Sequence, residues 1–172
     1  GASVFSYCSN LKNVTLPKNL TILSSNIFRE TAIETITLPE TLTTLGERLF
    51  YNCRSLKEIK IPESVTVIPT NCFYNCSSLV SVTLPDGITN IEGYAFDSCS
   101  GLTNIKLPTS LTTLGESAFS NTALTEILFP TGLNEIAGKT CYNCQALERV
   151  VISEGTTKIG SSAFYGAKKL TE

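Results

Sequence analysis

The cysteines are the residues of this chain whose type and spacing could do chemistry, since the sequence holds seven of them and no histidine. Cys141 and Cys144 form a C-x-x-C pair, and Cys72 and Cys76 form a C-x-x-x-C pair. Either spacing supplies half of a four-ligand zinc site, and C-x-x-C is also the spacing of redox-active dithiols. The absence of histidine removes the Ser-His-Asp and Cys-His schemes of nucleophilic catalysis. The role of the thiols therefore depends on the elements that would hold them.

The segments around the cysteines are repeated along the chain. FYNCRSL at residues 50–56 returns as FYNCSSL at 73–79 and as CYNCQAL at 141–147. One column of this repeat advances in steps of 22 or 23 residues, through Phe5, Phe28, Phe50, Phe73, Phe96, Phe119, Cys141 and Phe164. A fixed period of this length is typical of repeat proteins, in which each unit packs against its neighbours. The sequence predicts a single array over residues 1–172, of about seven repeats starting near these positions with a partial unit at 164. Because the chain starts and stops in mid-repeat, we expect it to be a fragment of a longer protein.

Each repeat contains a short segment that alternates apolar and polar residues and usually ends at proline, such as Val14-Thr15-Leu16-Pro17. Alternation of period two predicts a strand with one buried face, and proline ends the strand because it has no N–H for the ladder. So short a strand cannot bury its apolar face alone, so successive strands are expected to stack in parallel about 4.8 Å apart. The rest of each unit is predicted to form a short strand or turn and then a single helical turn on the opposite side. The predicted fold class is α/β, in the form of a solenoid.

One further column holds glycine in three repeats, as Ser24, Gly46, Pro69, Glu92, Gly115, Ala137 and Gly160. Proline and glutamate do not favour a positive φ, so this column is predicted to use ordinary backbone. Glycine is then expected to be replaceable there.

The repeat gives most of the cysteines a structural interpretation. Five of them share the column three residues after the phenylalanine, which reads Cys8, Thr31, Cys53, Cys76, Cys99, Thr122, Cys144 and Ala167. These residue types have small size in common, so the column is predicted to be a buried stack of small side chains. Neighbouring thiols of the column would lie about 4.8 Å apart and parallel, which disfavours disulfides between them. The two spaced pairs would lie about 14 Å apart, at three rungs of ~4.8 Å, so we expect no metal site. A thioredoxin-like redox role for Cys141 and Cys144 is also disfavoured, because that motif needs a helix N-terminus in a βαβ unit.

The sequence shows no constellation of catalytic residues. Glu58 with Glu34, and Glu126 with Glu148, could approach one another across adjacent strands, but exposed surface charge is the favoured interpretation because nothing indicates a raised carboxyl pKa. There is no G-x-G-x-x-G and no phosphate-binding loop. The chain is predicted to be non-enzymatic, without catalytic residues or a cofactor. A net charge of −2 without a basic patch argues against nucleic-acid binding. The sequence contains no run of 18 apolar residues that would predict a membrane-spanning segment.

The unit A-F-x-x-C-x-x-L-x-x-I-x-L-P-x-x-L-x-x-I-G, seen almost whole at residues 95–115, resembles the BspA-type leucine-rich repeat. The resemblance extends over essentially all of the chain, with local departures at Pro69, Cys141 and Ser153. It implies a right-handed leucine-rich-repeat solenoid on cell-surface or secreted proteins of gut and oral bacteria and of mucosal protists. It also implies adhesion to host matrix proteins, attachment and co-aggregation, with no catalytic motif.

A ligand is expected on the outward face of the proline-terminated strands, where side chains can vary without disturbing the core. This front face is predicted to present two residues from each repeat: Asn13, Thr15, Thr35, Thr37, Glu58, Lys60, Ser81, Thr83, Asn104, Lys106, Glu126, Leu128, Arg149 and Val151. The face is polar and rich in threonine. Toward its C-terminal end Leu128 and Val151 form a small apolar patch beside Glu126 and Arg149, which is typical of a contact site or of a surface that the next repeat would cover.

The favoured hypothesis is a binding module of an extracellular or cell-surface adhesin, with a host matrix or surface glycoprotein as the partner. The alternatives are a structural spacer with no ligand of its own and an intracellular scaffold, since free thiols also fit a reducing compartment. Three N-x-S/T sequons, at Asn13, Asn19 and Asn75, would be glycosylated only in a eukaryotic secretory host. The sequence makes no prediction of oligomeric state.

Overall fold

The computed structural model describes residues 1–172 as a stack of coils, one for each repeat of the sequence. Its strands are short: β1 (Ile22–Leu23), β2 (Thr44–Leu45), β3 (Glu58–Lys60), β4 (Val67–Ile68), β5 (Ser81–Thr83), β6 (Asn90–Ile91), β7 (Thr113–Leu114), β8 (Glu126–Leu128), β9 (Glu135–Ile136), β10 (Arg149–Val151) and β11 (Lys158–Ile159). No helical segment of the length and apolarity needed to cross a membrane is present.

The strands form two ladders, and every pairing is parallel. The front ladder contains the proline-terminated strands, where β3 pairs with β5 and β8 with β10. The back ladder contains the second apolar pair of each repeat, where β1 pairs with β2, β4 with β6, β6 with β7, and β9 with β11. The register joins equivalent positions of successive repeats, such as Glu58 with Ser81 and Ile22 with Thr44. The predicted stack of parallel strands is therefore confirmed.

Three predicted front strands, at residues 13–15, 35–37 and 104–106, lie in the same column without strand pairing. Each of the three adjoins a step of 22 residues in place of 23, as between Asn13 and Thr35 or between Asn104 and Glu126. The shorter step does not by itself prevent pairing, because Ile22 and Thr44 pair across a step of the same length. Alternation of residue types predicted the direction of these side chains but not the pairing.

The core lies between the two ladders and is built from columns of identical residues. Rings of Phe5, Phe28, Phe50, Phe73, Phe96 and Phe119 stack nearly parallel, with centroids 5.8, 5.4, 5.5, 5.2 and 5.5 Å apart in that order. All but Phe5 are fully buried. Apolar columns from both ladders pack around this stack into one continuous core. Burial of apolar area is the main stabilising term for such a fold, because each coil has little secondary structure of its own.

Cys141 interrupts the phenylalanine stack, and a change in a neighbouring column offsets the lost volume. Phe129 occupies the front-strand column that holds leucine or isoleucine in most other repeats. Its ring is buried and meets Phe164 edge-on, with centroids 6.3 Å apart and planes at 60°. A large residue beside a small one keeps the core filled, as close packing requires.

The segment that carries the phenylalanine column is not helical, so the predicted single helical turn is wrong. Within a coil, Tyr74 N donates to Asn71 O at 3.2 Å and Cys76 N to Phe73 O at 3.1 Å. The alternate amides, Phe73 N and Asn75 N, donate instead to carbonyls of the next coil, each at 2.8 Å. A helix would use all of these N–H groups internally. Here every second one joins two coils, and the chain therefore turns in another way.

The turn depends on two residues per coil with a positive φ, four positions apart, such as Asn71 at 56° and Asn75 at 55°. This backbone conformation is uncommon outside glycine, and asparagine adopts it more readily than most residues. Six of the residues concerned are asparagine: Asn26, Asn52, Asn71, Asn75, Asn121 and Asn143. The recurrence of Asn before the cysteine column was the sequence signal for this turn.

The prediction for the glycine column is half confirmed. None of its members has a positive φ, as expected. The expectation that these glycines can be replaced is wrong, because a Cβ atom on Gly115 would collide with the backbone of Glu92 and Gly93 in the preceding coil. Gly46 and Gly160 are equally close to the coils before them. The requirement is for close approach of two backbones and not for a special φ.

Candidate binding face

The front ladder directs the predicted ligand-binding positions outward. Thirteen of the fourteen predicted residues are exposed, and Val151 alone is half-buried. Strand pairing places Glu58 beside Ser81 and Lys60 beside Thr83. Between them Ile59 points into the core and is buried, as period-two alternation requires. The structure thus confirms the exposure of the predicted front face, whose ligand remains a prediction.

A groove of about 750 Å³ lies on the front face over the first four repeats. Its polar lining includes eight of the predicted residues, namely Asn13, Thr15, Thr35, Thr37, Glu58, Lys60, Ser81 and Thr83. Partly buried apolar side chains such as Val14, Leu16 and Ile36 contribute to the lining. The groove coincides with the unpaired segments 13–15 and 35–37. The other six predicted residues lie outside the groove, farther along the front face.

Two lining residues of the groove, Lys18 and Glu40, were not predicted from the sequence. Both follow the proline that ends a front strand, a position that periodicity does not mark as outward. Glu40 accepts a hydrogen bond from Lys60 Nζ at 3.0 Å, and this contact raises the pKa of Lys60. The Lys60–Glu40 pair fixes one charged edge of the groove, although both side chains are exposed and such pairs stabilise a fold only weakly.

Basic side chains contact most of the carboxylates considered for acid–base chemistry. Lys57 Nζ lies 2.9 Å from Glu34 Oε2, and Lys12 approaches the same carboxylate at 3.8 Å. The hydrogen bond and charge of Lys57 lower the pKa of Glu34, which is the opposite of what a general acid needs. Glu58 takes part in none of these salt bridges.

Each carboxylate of the second pair forms a salt bridge of its own. Arg149 Nη1 lies 3.0 Å from Glu126 Oε2, and Lys169 Nζ lies 3.8 Å from Glu148 Oε1. Arg149 also contacts Glu172 at 3.2 Å. On the same pair of strands Leu128 is 48% exposed and lies beside the half-buried Val151, two positions from the Glu126–Arg149 pair. The predicted apolar patch with a charged rim is therefore present at the C-terminal end of the front face.

The thiol column is buried through the middle of the molecule, as predicted, but its members share more than size. Cys53 Sγ donates to Phe28 O at 2.9 Å, and Cys76 and Cys99 bond in the same way to Phe50 O and Phe73 O, each at 3.1 Å. Thr31 and Thr122 donate to the corresponding carbonyls of their own coils at 2.9 Å. Cysteine and threonine can replace each other at these positions because each supplies a small side chain with a donor, which Ala167 of the same column lacks. Burial raises the pKa of the Cys53 thiol to about 11, so this thiol stays protonated.

The end of the column departs from the prediction. Cys8, which lies in the first coil of the described residues, is exposed and not buried. The pairs Cys72–Cys76 and Cys141–Cys144 belong to different coils, and no three Cys, Asp or Glu side chains converge on one point.

Aromatic residues form a second surface feature that the sequence reasoning did not single out. The Arg29 guanidinium lies between the rings of Tyr7 and Tyr51, 5.1 and 5.0 Å from their centroids. Tyr51 stacks on Tyr74 at 4.7 Å. The recurring FYN triplets at residues 50–52 and 73–75 were the signal for this stack. Cation–π and ring contacts of this kind order the turns of adjacent coils.

The chain is similar to solved bacterial proteins over most of its length. A leucine-rich repeat protein of T. pallidum is 25% identical, with a TM-score of 0.61 over 73% of this chain and 70% of that one. A leucine-rich repeat protein of Bacteroides ovatus is 26% identical, with a TM-score of 0.60 over 99% of this chain and 62% of that one. A leucine rich cell surface protein of Faecalibacterium prausnitzii is 26% identical, with a TM-score of 0.50 over 98% of this chain and 61% of that one. The chain thus spans about three fifths of the length of the last two proteins.

No curated protein matches the chain. The family model for the BspA type leucine rich repeat region matches residues 1–96 and 66–172, in six copies. These two ranges together cover the whole sequence and agree with the coil period, the buried phenylalanine column and the parallel front ladder. The chain belongs to the BspA-type leucine-rich repeat family.

Proposed function

We propose that the chain is a non-enzymatic binding module of a cell-surface or secreted adhesin, and that it contacts a host matrix or surface glycoprotein through the front face. The observation that carries this proposal is the groove of about 750 Å³, whose polar lining comes from eight predicted front-face residues. The description of the similar Faecalibacterium prausnitzii protein as a cell surface protein supports the location.

The chemistry of the groove suits recognition of a polar ligand. Threonine and serine hydroxyls can both donate and accept hydrogen bonds, and Thr35, Thr37 and Thr83 present three of them to solvent. The Glu58 carboxylate has no salt-bridge partner within the chain and is free to bind a donor on a ligand. Apolar side chains beneath these groups supply contact area, a combination typical of binding sites.

The test compares two triple variants that remove the same residue types from opposite faces. The groove variant carries Glu58→Ala, Lys60→Ala and Thr83→Ala. The control carries Glu135→Ala, Lys158→Ala and Thr44→Ala on the exposed side of the back ladder, where Lys158 and Glu135 form a salt bridge of 2.7 Å. Binding of both variants and the wild-type chain to immobilised matrix glycoproteins and mucin glycans would be measured by surface plasmon resonance.

We expect saturable binding by the wild-type chain, and at least about tenfold weaker binding by the groove variant, which corresponds to about 1.4 kcal/mol. The control variant should bind like the wild-type chain. Equal losses in both variants would show that the front face has no special role. An absence of binding by the folded wild-type chain would contradict the proposal and favour a structural spacer.

A further inference from the structure

Asp97 is the only buried charged residue of the molecule, with 8% of its surface exposed. It takes part in none of the salt bridges. Its hydrogen bonds come from neutral groups: Ser98 Oγ donates to Asp97 Oδ1 at 2.7 Å, and Asn121 Nδ2 donates to the same oxygen at 3.1 Å. Aspartate side chains buried to this extent are normally paired with an opposite charge. The charge of Asp97 is therefore uncompensated within the chain.

Two acceptor oxygens at this point of the surface have no hydrogen-bond partner. Asp97 Oδ2 and Asn75 Oδ1 accept no hydrogen bond within the chain. In residues that are not exposed, every polar side-chain atom shielded from solvent has a partner, so these two oxygens contact solvent. Asn75 N donates to Asp97 O at 2.8 Å, which places the two residues on adjacent coils. Both oxygens are thus available to a donor from outside the chain.

The sequence accounts for the missing donor beside Asn75. This residue lies in the column two positions after the phenylalanine, where asparagine recurs, and Asn75 Nδ2 donates to Asn52 Oδ1 of the preceding coil at 2.9 Å. The next member of the column is Ser98, which has no amide and directs its hydroxyl to Asp97. The run of amide hydrogen bonds stops at this coil, and the Asn75 oxygen keeps its capacity to accept.

A similar group of side chains nearer the N-terminus already holds a cation. The Arg29 guanidinium lies 5.0 Å from the centroid of the Tyr51 ring, and Arg29 Nε lies 3.3 Å from Glu30 Oε1. Asn52 Nδ2 lies 3.5 Å from the same carboxylate oxygen. A tyrosine ring and a carboxylate from two adjacent coils thus hold a guanidinium, which the chain itself supplies.

The same kinds of side chain occur at Asp97 without a cation. Tyr74 precedes Asn75, and it shares with Asp97 the column one position after the phenylalanine. Burial raises the pKa of Tyr74, and the nearby charge of Asp97 raises it further. One face of the Tyr74 ring stacks on Tyr51 at 4.7 Å. No ring stacks on the other face, because the next coil holds Asp97 in this column.

We propose that Asp97, Asn75 and the uncovered face of Tyr74 bind the guanidinium group of an arginine side chain on a protein partner. The planar guanidinium carries several N–H donors, so it can donate to Asp97 Oδ2 and to Asn75 Oδ1 together and stack on the tyrosine ring. None of these three residues lines the groove of the front face. The arginine site is therefore independent of the proposed function.

Titration of the isotope-labelled full chain with a capped Gly-Arg-Gly tripeptide, followed by NMR, tests the proposal. The amide signals of Asn75, Asp97 and Ser98 report on the site. A control tripeptide carries citrulline in place of arginine, and citrulline has nearly the same shape without the charge. Methyl galactoside serves as a second control, because a neutral sugar could also donate hydroxyl groups to the two oxygens.

Three variants accompany the titration. Asp97→Asn removes the charge and keeps an acceptor oxygen for Ser98 and Asn121. Asp86→Asn is the matched control, because Asp86 is the other aspartate of the chain and is exposed. Ser98→Asn restores the asparagine column, and its amide is expected to donate to Asn75 Oδ1 in competition with the ligand. Ser98 has a φ of 62°, which asparagine adopts readily.

We expect saturable shifts of the three signals with the arginine peptide and at least about fivefold weaker binding of the citrulline peptide, since hydrogen bonds between charged groups are the stronger ones. Asp97→Asn and Ser98→Asn should each weaken binding of the arginine peptide by at least about fivefold. Asp86→Asn should bind like the wild-type chain. The dispersion of the remaining amide signals establishes that each variant is folded.

Three results would each overturn the proposal. One is the absence of shifts at these signals when the folded wild-type chain is titrated to millimolar arginine peptide. Another is equal affinity for the arginine peptide and for the citrulline peptide or methyl galactoside. The last is unchanged binding by Asp97→Asn. The groove variant with Glu58, Lys60 and Thr83 replaced by alanine should bind the arginine peptide normally, so failure of this site and failure of the front face are distinguishable.

Discussion

Replacement of Phe96 by alanine tests whether the phenylalanine stack is the main support of the fold. Phe96 is fully buried, and its ring lies 5.2 Å from that of Phe73 and 5.5 Å from that of Phe119. Phenylalanine-to-alanine changes in close-packed cores cost about 3–5 kcal/mol, because a cavity remains. A coil held from both sides cannot collapse into that cavity, so we expect a loss of about 4 kcal/mol in the free energy of unfolding.

Phe5→Ala is the matched control, since Phe5 is half-buried and has one ring neighbour, Phe28, at 5.8 Å. Its loss should be about half as large, at roughly 2 kcal/mol. Phe96→Leu, which keeps most of the apolar volume, should cost about 1.5 kcal/mol.

Urea unfolding followed by circular dichroism and by tyrosine fluorescence gives the free energies, and coincident transitions from the two probes justify a two-state treatment. The reasoning would be refuted by equal losses in the Phe5 and Phe96 variants, because burial between two rings would then have no measurable value. It would also be refuted by a Phe96→Leu variant as unstable as Phe96→Ala, which would show that ring shape and not apolar volume decides the cost.

Three further predictions follow from the turns and the surface. Asn75 has a φ of 55°, so Asn75→Ala should lower the free energy of unfolding in urea by about 1–2 kcal/mol, and Asn75→Gly should lower it clearly less. Equal losses would assign the whole effect to the lost hydrogen bond between the Asn75 amide and Asn52. Gly115→Ala should lower the free energy of unfolding by about 1–3 kcal/mol, because the added Cβ atom collides with the preceding coil. Ala137→Gly in the same column should lower it by about 1 kcal/mol at most. The reverse order would contradict the need for close approach of the two backbones at Gly115. Lys57→Gln should raise the pKa of Glu34 toward its ordinary value in a carboxyl NMR titration, and an unchanged pKa would contradict the assigned cause. Because the folded pKa is the lower one, the contribution of this pair to stability is present above the unfolded pKa and is lost as pH falls through the folded pKa.

The thiol column shows how a repeat protein can bury a polar group in every coil without leaving it unpaired. The thiol is a small buried donor that satisfies a phenylalanine carbonyl of the coil before it, as Cys76, Cys99 and Cys144 do. The bond persists at Cys144 although Cys141 replaces the phenylalanine of that coil, because the acceptor, Phe119 O, belongs to the coil before it.

Periodicity in the sequence was sufficient to predict the array, the parallel front ladder, the buried phenylalanine column and the outward direction of residues such as Glu58 and Lys60. These features depend on which residues recur at equal spacing, and equal spacing in a solenoid means equal position in every coil. The same reasoning placed the cysteines in the core without any knowledge of their hydrogen bonds.

Only the tertiary structure decided how the coils are joined. The turn at Asn71 and Asn75 replaces the predicted helix because alternate amides bond to the next coil, a contact between residues 21 or 22 positions apart that local propensity does not contain. The groove likewise is formed by side chains from four successive coils, including the unpaired segments 13–15 and 35–37, and the close approach at Gly115 depends on the coil before it. The sequence by itself determined which side chains face the core and which face the solvent, since that choice depends on the alternation of apolar and polar residues within one repeat. The hydrogen bonds, the close contacts and the shape of the candidate site depend on distances between coils, and only their packing determines these.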